Sequence, residues 1–181
     1  MSLRIKAMDV AQVKDRQLFF DTNVLLYLFS PVAAPSTQWA INAYTAIFAQ
    51  CLKMQNVLCV DVFVLSEFIN AFLRFEYENY LKTKGLTKNQ CNFKRFRSTA
   101  EGIQVSQDIE IVVNNRILKR FKMVGKLFNK ADISTISLAN TDFNDELIVK
   151  TCKEHQCILV TNDADFSGVD IDILTANNKL T

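Results

Sequence analysis

The run Leu18-Phe19-Phe20-Asp21-Thr22-Asn23-Val24-Leu25-Leu26-Tyr27-Leu28-Phe29 limits the fold more than any other part of the chain. Its left end, 17–21, is apolar and aromatic and reads as a buried strand. Its right end, 23–29, is apolar again, reads as a helix and stops at Ser30-Pro31. Asp21 and Asn23 sit at the join. An Asp released from the carboxyl end of an early central strand is where an open α/β sheet places its chemistry. Desolvating that carboxylate is costly unless something cationic meets it.

A chain of 181 residues fits one domain with room for an insertion. At 49% hydrophobic it can fill a core, and 4 Gly and 2 Pro argue against long linkers and a turn-dense all-β fold. The net charge of +2 excludes nothing by itself. The start, Met1-Ser2-Leu3-Arg4-Ile5-Lys6, lacks an apolar run like that of a signal peptide, and no stretch is long enough to span a bilayer. The 5 cysteines are odd in number and scattered, which reads as reduced thiols in a cytoplasmic protein. Cys152, His155 and Cys157 lie close together, but no second pair completes a zinc site, so burial is their expected fate.

Residues 1–15 are polar and aperiodic, an arm or a short extra element. Ser36 reads as the N-cap of a helix that runs to about Met54 on an apolar face including Ala40, Tyr44, Ile47 and Cys51. Val57-Leu58-Cys59-Val60 reads as the second strand. The next helix has the stripe Val64, Phe68, Ala71, Phe72 and Phe75, and Glu67 falls inside it. A carboxylate there either reaches water from the stripe's edge or has to be neutralised, paired or metal-bound.

From Tyr80 to Arg97 the composition turns basic. Lys82, Lys84, Lys88, Lys94, Arg95 and Arg97 occur without an acid among them, and Gly85 is placed to break the helix. A long helix over roughly 105–128 is expected next, with Ile109, Val113, Ile117, Phe121, Val124 and Phe128 inward and Lys119, Lys122 and Lys126 outward. These cations are either a solvated face or a phosphate-facing one.

The last third is acidic. Ile133 to Leu138 carries β-branched residues and reads as a strand. A helix follows from Asp142 or Phe143, with Asp142 as its N-cap, His155 packed along it and Asp145 joining its inner face. Cys157-Ile158-Leu159-Val160-Thr161 is a buried strand that delivers Asn162, Asp163 and Asp165 at its end. Val169-Asp170-Ile171-Asp172-Ile173 alternates like a half-exposed edge strand. The candidate constellation is Asp21, Glu67, Asp145 and Asp163. Each alone has a structural reading. Two like charges ~4 Å apart repel by about 4 kcal/mol at an effective dielectric of about 20, so four that meet need a cation. All-oxygen ligands select Mg²⁺ or Mn²⁺.

Four short stretches, in this order, resemble the PIN-domain nuclease family, which includes the VapC-type ribonuclease toxins. They are Phe20-Asp21-Thr22-Asn23-Val24-Leu25, Ser66-Glu67, Asp145-Glu146-Leu147-Ile148 and Val160-Thr161-Asn162-Asp163-Ala164-Asp165-Phe166. The resemblance covers about 17–75 and 131–177. It implies a three-layer α/β/α sandwich around a mainly parallel sheet of about five strands. It also implies a Mg²⁺- or Mn²⁺-dependent endoribonuclease, with Asp21, Asp145 and Asp163 on the metal and Glu67 on the attacking water. Asn23, Thr161 and Asp165 match supporting positions, and Asp142 stands beside them. RNA is the expected substrate, with an antitoxin protein and a second copy of the chain as candidate partners. The basic segment, about 76–130, exceeds the small toxin members and reads as a helical insertion, an RNA clamp or a protein dock. Two other readings stand beside this one. One is a PIN-like module that binds RNA or protein without cutting. The other is a phosphohydrolase with Asp21 as nucleophile, which usually has a second acid where this chain has Asn23.

Overall fold

The computed structural model describes residues 2–30, 35–137 and 142–180. Six parallel strands form one sheet: β1 (Arg4–Lys6), β2 (Gln17–Phe20), β3 (Val57–Val60), β4 (Phe121–Met123), β5 (Ile158–Val160) and β6 (Ile173–Thr175). Their order across the sheet is β1-β6-β5-β2-β3-β4. In β2, Phe19 is in register with Cys59 on one side and Leu159 on the other. The chain travels outward from β2 through β3 and β4, then returns to β5 on the opposite side. The carboxyl ends of β2 and β5 are therefore the point where the winding reverses, which is where open α/β sheets hold ligands. Both strands are continuous apolar runs because both of their faces are covered.

Seven α-helices accompany the sheet among the described residues: α1 (Thr22–Phe29), α2 (Gln38–Lys53), α3 (Val62–Lys84), α4 (Phe93–Phe96), α5 (Ala100–Val112), α6 (Lys130–Ser134) and α7 (Phe143–His155). Right-handed crossovers place α1, α2, α5 and the first half of α3 on one face and α7 on the other. Phe20 points to the first face and meets Phe48 of α2 edge-on at 6.1 Å.

Several expectations are corrected. The polar start is part of the sheet, since β1 pairs with β6 along Arg4 to Lys6. β6 begins only at Ile173 and lies inside the sheet, so 169–172 is no edge strand. Asp172 accepts from the Leu3 amide at 2.9 Å and pairs with Arg16 at 3.0 Å; it ties the edge strand on. Ser36 lies in a 3-10 turn, Pro35–Thr37, so the residue before α2 is Thr37, and its side chain makes no cap. Phe75 is exposed on the outer side of α3.

The helix expected over 105–128 ends early. α5 stops at Val112, a wider π turn carries Val113–Ile117, and Phe121 to Met123 pair with Leu58 to Val60 as β4. The open edge of β3 outweighs the helical period there. The strand expected at 133–138 does not form: Ile133 and Ser134 end α6, because Asn129 and Asp132 form a reciprocal capping box that outweighs β-branched Ile133, and 135–137 follow without regular structure; Leu138 lies outside the described residues.

α3 starts at the carboxyl end of β3, so it runs back against the strand direction. From Glu67 to Lys84 it travels about 26 Å, while a four-residue strand spans only about 13 Å. Its far half therefore projects past the amino end of the sheet. Tyr77, Leu81, Cys91 and Phe96 make a second small core there. Gly85, at φ +64°, ends α3 in the left-handed conformation.

A candidate acidic active site at the carboxyl end of the sheet

Asp21 follows β2 directly and caps α1. Its Oδ1 accepts from the Thr22 amide at 2.6 Å, and its Oδ2 accepts from Thr161 Oγ1 at 2.7 Å and Asn23 Nδ2 at 2.5 Å. Asn23 Oδ1 in turn accepts from the Asn162 amide at 3.1 Å. Thr161 Oγ1 accepts from the Asp163 amide at 3.0 Å. Asn23 and Thr161 thereby tie the Asp21 carboxylate to the backbone of Asn162 and Asp163.

A further layer, overlooked in the sequence, holds the turn from outside. Tyr44 is fully buried; its hydroxyl donates to the Thr161 carbonyl at 2.7 Å and accepts from the Ala176 amide at 3.1 Å. Tyr27 stacks on Tyr44 with centroids 5.7 Å apart and accepts from Asn162 Nδ2 at 3.1 Å. Asn177 Nδ2 donates to the Asn162 carbonyl at 2.7 Å. Tyr44 reads in sequence as an ordinary core residue of α2, and nothing in the spacing separates it from its apolar neighbours.

Glu67 is exposed at the edge of the α3 stripe, and its Oε2 accepts from Thr22 Oγ1 at 2.9 Å. Glu67 therefore reaches water from the stripe's edge, as one of its two readings has it, and stands beside the residue that follows Asp21. Asp145 lies half-buried in the first turn of α7. Asp163 caps the 3-10 turn Ala164–Gly168 by accepting from the Asp165 amide at 3.0 Å, while Asp165 itself is exposed. Asp142 caps α7 by accepting from the Asn144 amide at 2.8 Å.

Burial, against the lowering bonds from Thr161 and Thr22, raises the Asp21 carboxyl from 3.8 to about 6, with Glu67 and Asp163 adding repulsion. Asp145 rises to about 7, first through burial and then through the charges of Asp21, Asp163 and Asp142. Asp21 thus lies within electrostatic reach of Glu67, Asp145 and Asp163, which come from α3, α7 and the end of β5. The charged groups acting most strongly on Asp21 and Asp145 are other carboxylates.

That donor set suits a hard divalent cation. As they stand, no three His, Cys, Asp or Glu side chains among the described residues form a group that could hold one. Both carboxylate oxygens of Asp21 and Oδ1 of Asp163 instead accept from amide and hydroxyl donors. Cys152 and Cys157 are buried, and His155 Nε2 lies 2.9 Å from the Gly125 carbonyl.

Asp61 is a carboxylate the sequence reading passed over. It follows β3 as Asp21 follows β2, is 1% exposed and caps α3 through the Val64 amide at 2.8 Å. Its Oδ2 has no hydrogen-bond partner among the described residues, and burial raises its carboxyl above the usual range. The repeated pattern of apolar strand, Asp and helix was the available signal.

The six cations expected to face RNA separate into two groups. Lys122 lies on β4, Lys119 in the turn before it and Lys126 in the loop beyond, where its Nζ is 2.7 Å from Glu154 and 3.4 Å from Asp132. Lys94, Arg95 and Arg97 lie on and just after α4, in the projection at the opposite end.

A doubly wound parallel sheet with carboxylates at its winding reversal defines an α/β protein with an acidic site at its switch point. The PIN domain family model matches residues 18–172, and the chain belongs to that family. No curated protein and no solved structure matches the chain. β1 precedes the matched region and β6 follows it. Among the described residues, no helix is long and apolar enough to cross a membrane.

Proposed function

We propose that the protein is a Mg²⁺- or Mn²⁺-dependent endoribonuclease. The observation that carries this reading is the convergence on Asp21: it and Asp163 follow the neighbouring strands β2 and β5 and share Thr161, Glu67 is bonded to the adjacent Thr22, and Asp145 lies within reach of its charge. Asp21, Asp145 and Asp163 would hold the cation, directly or through water. Such an ion supplies charge neutralisation at phosphorus and a more acidic water. Glu67, anchored by Thr22 yet open to solvent, orients the attacking water and takes its proton. The water oxygen bonds to phosphorus as the bond to the leaving ribose oxygen breaks. Asn23, Thr161 and the tyrosine layer keep Asp21 and Asp163 in place without entering the chemistry. Lys122, on β4, holds a flanking phosphate.

Purified protein incubated with single-stranded RNA, with Mn²⁺ or with chelator, tests this. Cleavage that needs the metal and falls at least about a hundredfold in Glu67→Gln supports it. A second reading, RNA binding without cutting, is favoured by the lack of a ready-made metal cage among the described residues. Equal binding in both conditions with intact RNA would establish that reading instead. The role of a toxin restrained by an antitoxin is an extension of the nuclease reading. Growth arrest on expression, absent in Asp21→Asn, is its test.

A further inference from the structure

Beside the acidic site, on its β4 side, aromatic and basic side chains interleave. Phe63, in the first turn of α3, is 39% exposed, and Leu127 is 94% exposed. Phe63 and Phe128 pack edge to face, with centroids 6.2 Å apart and planes at 68°. The Lys126 ammonium lies 5.8 Å from the Phe128 ring. The Val124 amide donates to the Val60 carbonyl at 2.9 Å, which seats this loop against the carboxyl end of β3. Lys122 and Lys130, both exposed, flank it along the chain.

Phe63 and Glu67 are four residues apart on α3, so they share a face and lie about 6 Å apart along the axis. A phosphodiester presented to Glu67 brings its neighbouring base to Phe63. Bases inside a duplex have no free ring face to offer. An unpaired base does, and stacking on aromatic side chains is how single strands are gripped without regard to sequence. Lysines on either side match the phosphates that such a strand carries.

We infer that the Phe63–Phe128 pair is a stacking platform for an unpaired nucleobase next to the scissile phosphate, which makes Phe63 a specificity-determining residue. This rests on the ribonuclease reading and names the form of substrate that the site takes.

The test uses fluorescent single-stranded RNA in which each position around the mapped cut, or along the bound oligonucleotide, is made abasic in turn. Phe63→Leu keeps apolar bulk without a ring, and Phe63→Trp keeps the ring. Affinity for intact RNA drops at least about fivefold in Phe63→Leu and is retained in Phe63→Trp. At one abasic position the wild type loses the same factor, and Phe63→Leu loses nothing more. Equal affinity of wild type and Phe63→Leu, or an undiminished Phe63→Leu loss at every abasic position, overturns the platform. So does a change in self-association with RNA affinity unaltered, which would assign the patch to a protein contact. Binding with this coupling but no cleavage would overturn the nuclease reading and leave the platform standing. Cleavage without the coupling would do the reverse.

Discussion

The Thr161 hydroxyl donates to Asp21 Oδ2 at 2.7 Å across the join of two neighbouring parallel strands. The same oxygen accepts the Asp163 amide at 3.0 Å. One short side chain thus ties the Asp21 carboxylate to the backbone that carries Asp163. It also opposes the burial that pushes Asp21 toward its neutral form.

Replacing Thr161 with Val keeps the shape and removes the donor. A hydrogen bond to a charged group contributes roughly 1.5–3 kcal/mol, or about one to two pH units. The acidic limb of the pH–activity profile should move alkaline by at least about one unit in Thr161→Val and return in Thr161→Ser. An unmoved limb in a folded Thr161→Val protein would remove this role.

Stability in chelator should fall as pH rises. Folded Asp21 titrates at about 6 against an ordinary 3.8, so the folded chain binds the proton more tightly than the unfolded one. Its contribution is complete below the ordinary value and is lost as pH passes through 6, about 3 kcal/mol in all. Asp145, raised to about 7 but only half-buried, extends the decline by less. Urea unfolding between pH 5 and 8 measures the slope, and Asp21→Asn should flatten it. A wild-type slope of the opposite sign would contradict the electrostatics described for this site.

Much of this was legible along the chain, and the exceptions share a cause. Leu18 to Asp21 and Cys157 to Asp163 announce themselves because strands buried on both faces are unbroken apolar runs. Phe121 to Met123 do not, since their apolar spacing continues a helix and only the free edge of β3 makes them a strand. The alternation at Val169 to Ile173 is present, but the partner of β6 on that side, β1, lies near the start of the chain. Asp145 reaches Asp21 only because α7 docks on the sheet, which no local spacing encodes. Asp61 carried a readable pattern and was missed because a capping Asp looks ordinary.

Gly102 holds the projecting helices together. A Cβ there would lie 2.1 Å from the Phe96 carbonyl oxygen, so α5 passes α4 at backbone distance. Gly102→Ala should destabilise by about 2 kcal/mol or more and loosen α4 and α5 first. Hydrogen exchange should rise at 93–112 before it rises in β2 or β5. Protection equal to wild type would contradict the close approach.

The two groups of cations should behave differently. Lys122→Ala weakens RNA binding and lowers the salt slope by about one. Reversing Lys94, Arg95 and Arg97 together leaves cleavage of a short oligonucleotide unchanged, because α4 lies on the projection past the opposite end of the sheet. Binding and cleavage assays at several salt concentrations distinguish them. A larger loss from the α4 triple than from Lys122→Ala would return the clamp to the helical segment.

The central claim is that carboxylates from separate elements share one hard cation. Calorimetric titration of Mn²⁺ into wild type and folded Asp21→Asn at pH 7.5 tests it most directly. Saturable binding with stabilisation of the wild type, lost together with RNA cleavage in Asp21→Asn, is the predicted result. Identical Mn²⁺ binding and cleavage in the two proteins would contradict it.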